Sequence, residues 1–241
     1  MRQARLLSTD GPVSGRYEDG VVYAEDGAYE VGTDGRLLPP ATPSALYCVG
    51  RNYAETLEQM EYERPEEPDF FIKPPASLCG HGESIPYPDF TSELTYAGEL
   101  AAVIDERCRN VAQDDVPDIV RGYTIMNDLD ALDQQGRTAR KAFDGSGPLG
   151  PWLETDLDPR AIDMHTDIAG ERRQEATTEL MLFDPYEVVS YLSRRFTLEA
   201  GDVIAFGSPA NPGLVHPGDD VAITYEGIGT LRNTVVDPTA R

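Results

Sequence analysis

The chain has 241 residues, with 43 acidic against 20 basic side chains, a formal net charge of −23 and a pI near 4.3. So negative a field excludes nucleic-acid phosphates and anionic membrane surfaces as partners. An apolar content of 40% is enough for a packed core, so the acidity reads as a halophile-type surface and not as disorder.

In chain order, residues 1–43 are expected to form a small β-rich segment. VVYAED and AYEVGTDGR alternate around Gly27 and the Asp34-Gly35 turn signal, and PPATP at 39–43 reads as a linker. Residues 44–241 then make one larger unit. Within it ALYCVG (45–50) predicts a short strand, RNYAETLEQM a helix stopped by ERPEEPD, and FFIKP another strand. ELTYAGELAAVI (93–104) predicts one longer strand, DDVPDIV a short helix, RGYTIMND a strand and LDALDQQGRTAR a helix. The last third alternates short strands with Gly and Pro turns, as in LEAGDVIAFGSP and HPGDDVAITYEGIGTLRN. Many short strands with few helices predict a mixed α+β, mainly β domain. No apolar run is long enough to span a bilayer and MRQARLLSTDG has no signal-peptide core, so a cytoplasmic location is expected.

Some signatures fail on context. GSGPLG (145–150) has G-x-G-x-x-G spacing, but no apolar strand precedes it, and Pro148 and Pro151 block a helix opening from it. Cys48, Cys79 and Cys108 lie far apart without C-x-x-C, which favours reduced thiols over a disulfide or zinc site. His81, His165 and His216 are isolated, and His81 is expected to be a hydrogen-bonded loop histidine. Trp152 is expected in the core.

The lysines are more informative. Only Lys73, in FFIKPPASL, and Lys141, in ARKAFDGSGPLGPW, stand beside 18 arginines. A solvated lysine is easily replaced by Arg or Glu. One kept against that bias points to a geometry that only a compact ammonium on a flexible stem can meet.

Five segments carry a family pattern: YCVGRNYAETLEQM (47–60), DFFIKPPASLCGHGESIPYP (69–88), LTYAGELAAVI (94–104), GYTIMNDLDALDQQGR (122–137) and KAFDGSGPLGPWL (141–153). With LEAGDVIAFGSPANPG and HPGDDVAITYEGIGTLRN they resemble the fumarylacetoacetate hydrolase family over roughly residues 45–235. The resemblance implies a β roll like that family's C-terminal domain, preceded here by the small β-rich extension, and a homodimer. It also implies a Mg²⁺ or Mn²⁺ site that binds a small keto or diketo acid for C–C hydrolysis, decarboxylation or tautomerisation.

Carried over residue by residue, the resemblance places Glu99 and Asp128 as the second and third metal ligands, while the first falls on Ala97. A hard divalent ion takes carboxylate oxygens and waters, leaving room for a chelating keto acid. Lys73, Gln135, Lys141 and Ser208 would line the substrate pocket, with Lys73 and Lys141 as the catalytic cations. Smaller members carry a His and a Glu where this chain has Thr56 and Gln59, and an Arg where it has Leu132. Without that acid/base pair, decarboxylation or tautomerisation is favoured over hydrolysis, because neither Thr nor Gln activates water near neutral pH. Two outcomes are expected: a metal-dependent keto-acid enzyme, or a catalytically degraded paralogue that binds an anion or pairs with an active homologue. With one ligand lost, Lys141 is expected to neutralise Glu99 and Asp128 directly, in place of the metal.

Overall fold

In the computed structural model, which describes residues 1–59, 61–210 and 213–238, the short apolar runs become strands of two main sheets. The larger sheet has twelve strands. From the N-terminal Arg2–Ser8 it runs through Gly147–Glu154, Val120–Asn127, Gly98–Ile104, Val203–Ala205 and Leu46–Gly50 to Asp69–Lys73. It then closes on itself. After Lys73 the chain makes one turn of 3-10 helix, Pro75–Ser77, and Leu78–Cys79 pairs in parallel with Gly147–Pro148. The strands between wrap into a roll.

Because side chains alternate across a strand, the roll has distinct inner and outer faces. Leu46, Cys48, Ala101, Val103, Met126, Leu149, Leu153, Val203 and Ala205 fill the interior, with Phe71 packed against them. Small side chains meet where the interior is narrow, as at the cross-strand pair Ala101 and Ala205. The outer positions of the same strands, such as Leu100, Ala102, Ile104 and Ile125, join a larger core with Met164, Ile223, Val188 and Leu192. That second layer is a five-stranded sheet, ordered Glu171–Thr177, Asp163–Ile168, Asp220–Tyr225, Gly229–Val236 and Ser84–Pro86, together with the helix Pro185–Arg195.

The N-terminal segment is a meander of Arg2–Ser8, Gly11–Glu18, Val21–Ala24 and Gly27–Glu30, with Gly35–Leu38 paired back onto the first strand. It has its own small core of Ala4, Leu6, Val22 and Leu37. Two pairs, Arg2 with Glu154 and Gln3 with Leu153, join it to the roll. Trp152 sits half-buried at this seam, stacked on Tyr17 with ring centres 4.4 Å apart and donating from Nε1 to Ile228 O at 2.8 Å. PPATP is more than a spacer, since Ala41 packs into the interior of the roll.

Three elements differ from expectation. Residues 93–104 form two strands, Leu94–Thr95 and Gly98–Ile104, because the first pairs with Asp130–Ala131 and leaves the main sheet. LDALDQQGRTAR is that short Asp130–Ala131 strand and a turn; the helix, Arg137–Lys141, starts only after Gly136, whose φ of 84° suits glycine. The helix Pro185–Arg195 was not expected. Asp184 caps it by accepting from the N–H groups of Tyr186 (2.8 Å) and Glu187 (3.0 Å), and Pro185 occupies its first turn. GSGPLG runs into the strand Gly147–Glu154, so it opens no helix. Among the described residues no helix is long and apolar enough to cross a membrane. The three cysteines are free thiols, and His81 Nδ1 accepts from the Arg232 N–H at 3.2 Å.

Candidate active site

The inward-facing series of two neighbouring strands ends in carboxylates. Glu99 continues the positions of Ala101 and Val103 to one end of the roll, and Asp128 follows Met126 by two residues on the adjacent chain. The backbone is clamped where they emerge. The Asp128 N–H donates to Ala97 O at 2.9 Å, and the Ala97 N–H donates to Asn127 Oδ1 at 3.1 Å.

Both lysines converge on Asp128. Lys73, two residues beyond the inward-facing Phe71, is fully buried, and its Nζ lies 2.8 Å from Asp128 Oδ1. Its other acceptors are Leu129 O at 3.2 Å, Ser146 O at 2.9 Å, Ser146 Oγ at 3.1 Å, and Lys141 O. An ammonium has three N–H donors, which Lys73 shares among these acceptors and the ion pair with Asp128 Oδ1. Lys141 Nζ donates to Asp128 Oδ2 and lies 3.3 Å from Asp130 Oδ2, with the Phe71 ring 5.0 Å away.

Electrostatics divide the two carboxylates. Burial pushes Asp128 up, but Lys141 and Lys73 outweigh it and hold Asp128 below the ordinary carboxylate range. Burial likewise pulls Lys141 down, and Asp128 and Asp130 reverse that, leaving its ammonium above the usual lysine value. Glu99 has weaker compensation. Burial and then the Asp128 charge raise it to about 8, against Lys141 and a hydrogen bond from the Gly207 N–H at 3.0 Å. Near neutral pH Glu99 is therefore mainly a neutral acid.

These groups open into a cleft of about 420 Å³. Thr56, Ala97, Glu99, Asp128, Leu132, Lys141 and Ser208 all line it. Thr56 Oγ1 donates to Ser208 O at 3.0 Å, tying the short helix Ala54–Gln59 to that wall. Ser208 Oγ accepts from Gln174 Nε2 at 2.8 Å. Gln135 is exposed and lies outside the lining; its neighbour Gln134 takes that place, with its amide donating to Phe90 O at 2.7 Å. Gln59 is also exposed and outside the lining. Lys73 lies beneath the cleft floor.

Four charged residues at the cleft were not anticipated: Arg51, Arg137, Arg140 and Asp130. Arg137 and Arg140 share a helix with Lys141 at spacings that put all three on one side. That spacing was the available signal. Arg140 pairs with Asp130 at 2.8 and 2.6 Å, and Arg137 with Asp69 at 2.9 and 2.7 Å. Arg51 is 3.7 Å from Asp69 and lies over the Tyr62 ring at 4.1 Å. Five cations thus meet three carboxylates besides the neutral Glu99, which makes the cleft a positive spot on a strongly negative chain.

A divalent ion at this end of the roll would have Glu99 and Asp128 as its carboxylates. Ala97 offers no side-chain donor, and no group of three or more His, Cys, Asp or Glu side chains gathers as a metal site among the described residues. Both Asp128 oxygens already face ammonium groups. Even with Glu99 ionised, the two carboxylates are balanced by two lysines and leave no net negative charge to hold a hard dication, so this donor set does not fit Mg²⁺ or Mn²⁺.

The fumarylacetoacetate (FAA) hydrolase C-terminal family model matches residues 45–236. The oxaloacetate tautomerase of Bacillus subtilis is 36% identical over 213 residues, 81% of this chain and 71% of that protein. The crystal structure of 5-carboxymethyl-2-hydroxymuconate delta-isomerase from Mycobacterium smegmatis matches with a TM-score of 0.91 at 36% identity, covering 98% of this chain and 100% of that one. Maleylpyruvate hydrolase from Sphingobium sp. SYK-6, solved with manganese(II) and pyruvate, matches at a TM-score of 0.85 and 25% identity over 98% of this chain and 99% of that one. With the mainly β fold and the matched span in agreement, the chain belongs to the fumarylacetoacetate hydrolase family.

Proposed function

We propose that the cleft binds a small keto acid and turns it over through an enol or enolate, as a tautomerase or decarboxylase. The observation that carries this is one cleft lined by both Glu99 and Lys141, the Lys141 ammonium being fixed by Asp128 and Asp130 and joined by the arginines of the rim. Lys141 and the guanidinium groups of the rim would hold the substrate carboxylate by charge-assisted hydrogen bonds. Lys141 would also stabilise the enolate oxygen. Glu99 titrates close to working pH, which suits it to carry a proton between carbon and oxygen. Thr56 and Gln59 supply no base to activate water, which disfavours hydrolysis. No step passes through Mg²⁺ or Mn²⁺, the ions that the resemblance implied. The relatives named for tautomerase and isomerase activities support this reaction class.

The test is a screen of oxaloacetate, acylpyruvates and 2-hydroxydienoic acids in molar KCl, following the enol absorbance. Turnover that disappears in Glu99→Gln and Lys141→Met is the expected result. A second reading, an anion-binding paralogue without turnover, is favoured by Thr56, Gln59, Ala97 and Leu132 standing at family active-site positions. It prevails when these substrates bind and none reacts.

A further inference from the structure

We infer that this cleft takes its carboxylate ligand without a divalent ion, Lys73 and Lys141 supplying the positive charge, and that Ala97 is the residue that sets this. The inference rests on the keto-acid reading above. It starts from where charge is placed. Lys73 is anchored by four backbone and hydroxyl acceptors besides Asp128, so its position does not depend on any ligand. Lys141 is held by Asp128 and Asp130 and keeps 16% of its side chain exposed at the cleft. One ammonium is thus a fixed charge under the floor, and the other can reach a ligand.

Ala97 lies where a third acid would upset that balance. Its carbonyl accepts from the Asp128 N–H at 2.9 Å, it precedes Glu99 by two residues, and it lines the cleft. A carboxylate at this position would enter beside Glu99 and Asp128 and leave an excess of negative charge. That excess would attract a dication and repel a free anion. With alanine there, the polar floor carries no net negative charge and the arginine rim is left to attract an anion. The same cleft therefore selects an organic monocarboxylate or dicarboxylate directly, where the manganese-bound relative holds its pyruvate in the company of a metal ion.

The experiment measures pyruvate and Mn²⁺ separately by titration calorimetry in molar KCl, on wild type, Ala97→Glu and Lys141→Met. Wild type is expected to bind pyruvate equally, within about twofold, in EDTA and in excess Mn²⁺, and to bind Mn²⁺ alone no tighter than a surface carboxylate pair does. Lys141→Met should weaken pyruvate by about tenfold or more, the scale of one charge-assisted contact. Ala97→Glu should gain Mn²⁺ binding and make pyruvate binding depend on it. Micromolar Mn²⁺ binding by wild type, or pyruvate binding that EDTA abolishes, overturns the inference and leaves the keto-acid reading standing. No pyruvate binding with or without Mn²⁺ overturns both. If Ala97→Glu does not fold, the wild-type EDTA comparison decides.

Discussion

Replacing Lys73 by methionine tests whether the buried ammonium holds the roll together. Methionine keeps an unbranched stem of similar length and removes the charge. Asp128 would lose one of its two cations, and the carbonyls of Leu129, Lys141 and Ser146 would lose a donor. Removing one partner of a buried ion pair costs about 3–5 kcal/mol, and each stranded acceptor about 1–3 kcal/mol. These losses overlap here. Asp128 keeps Lys141, and Ser146 Oγ keeps its own bond to Lys141 O at 2.7 Å. We expect a net loss of about 4 kcal/mol, which for a chain of this size lowers Tm by roughly 8–16 °C. The assay is reversible denaturation followed by fluorescence and circular dichroism, in dilute buffer and in molar KCl. A buried pair is poorly screened, so the difference between variant and wild type should survive the salt. Arg137→Ala, which breaks a partly exposed pair with Asp69 at the cleft rim, is the control, with an effect smaller than that of Lys73→Met and one that salt diminishes. A loss below about 1 kcal/mol for Lys73→Met, or one that vanishes in KCl, refutes the argument that this ammonium is a structural element.

Two further outcomes follow from named contacts. The Glu99 carboxyl is raised to about 8 in the fold, so the unfolded chain gives up this proton first and stability falls as pH rises from its ordinary value near 4.5 towards 8. Glu99→Gln should flatten that fall, worth up to about 1.4 kcal/mol per pH unit, and identical denaturant midpoint slopes between pH 5 and 8 would contradict it. Gly98→Ala would place a Cβ 2.6 Å from Thr166 Oγ1 and 2.9 Å from Ile223 Cγ2, and thermal melts should show a loss of about 1–3 kcal/mol from overpacking between the two sheets.

Much of the fold was legible from local pattern. Short alternating or apolar runs bounded by Gly and Pro became strands, as at Leu46–Gly50, Asp69–Lys73 and Val120–Asn127. What failed was non-local. Leu94–Thr95 leaves the longer run only because it finds Asp130–Ala131 as a partner, and no feature of LTYAGEL announces that. The pairing of Arg2 with Glu154 likewise spans most of the first two-thirds of the chain. The helix Pro185–Arg195 is a different case, since its Asp184-Pro185 start signal is local and present in the sequence. At the site, the two lysines and Asp128 were expected near one another and do meet. The expectation that Lys141 would sit on both Glu99 and Asp128 is met at Asp128 only; its second acid is Asp130, and its influence on Glu99 is through space. The pairing of Gln134 rather than Gln135 with the cleft is set by a loop, where a one-residue difference has no periodic signature.

Closure of the roll bears on how its lysines should be weighed. Lys73 ends the last strand of the hydrogen-bonded circuit, just before the turn at Pro75–Ser77, and its ammonium reaches across to the residues that lead into Gly147–Glu154. It works as a rivet at the seam. Its loss weakens the fold whether or not the cleft reacts with anything. Its presence in a chain with only one other lysine is therefore accounted for by architecture alone. Lys141, partly open to the cleft, is the lysine placed to meet the ligand proposed above.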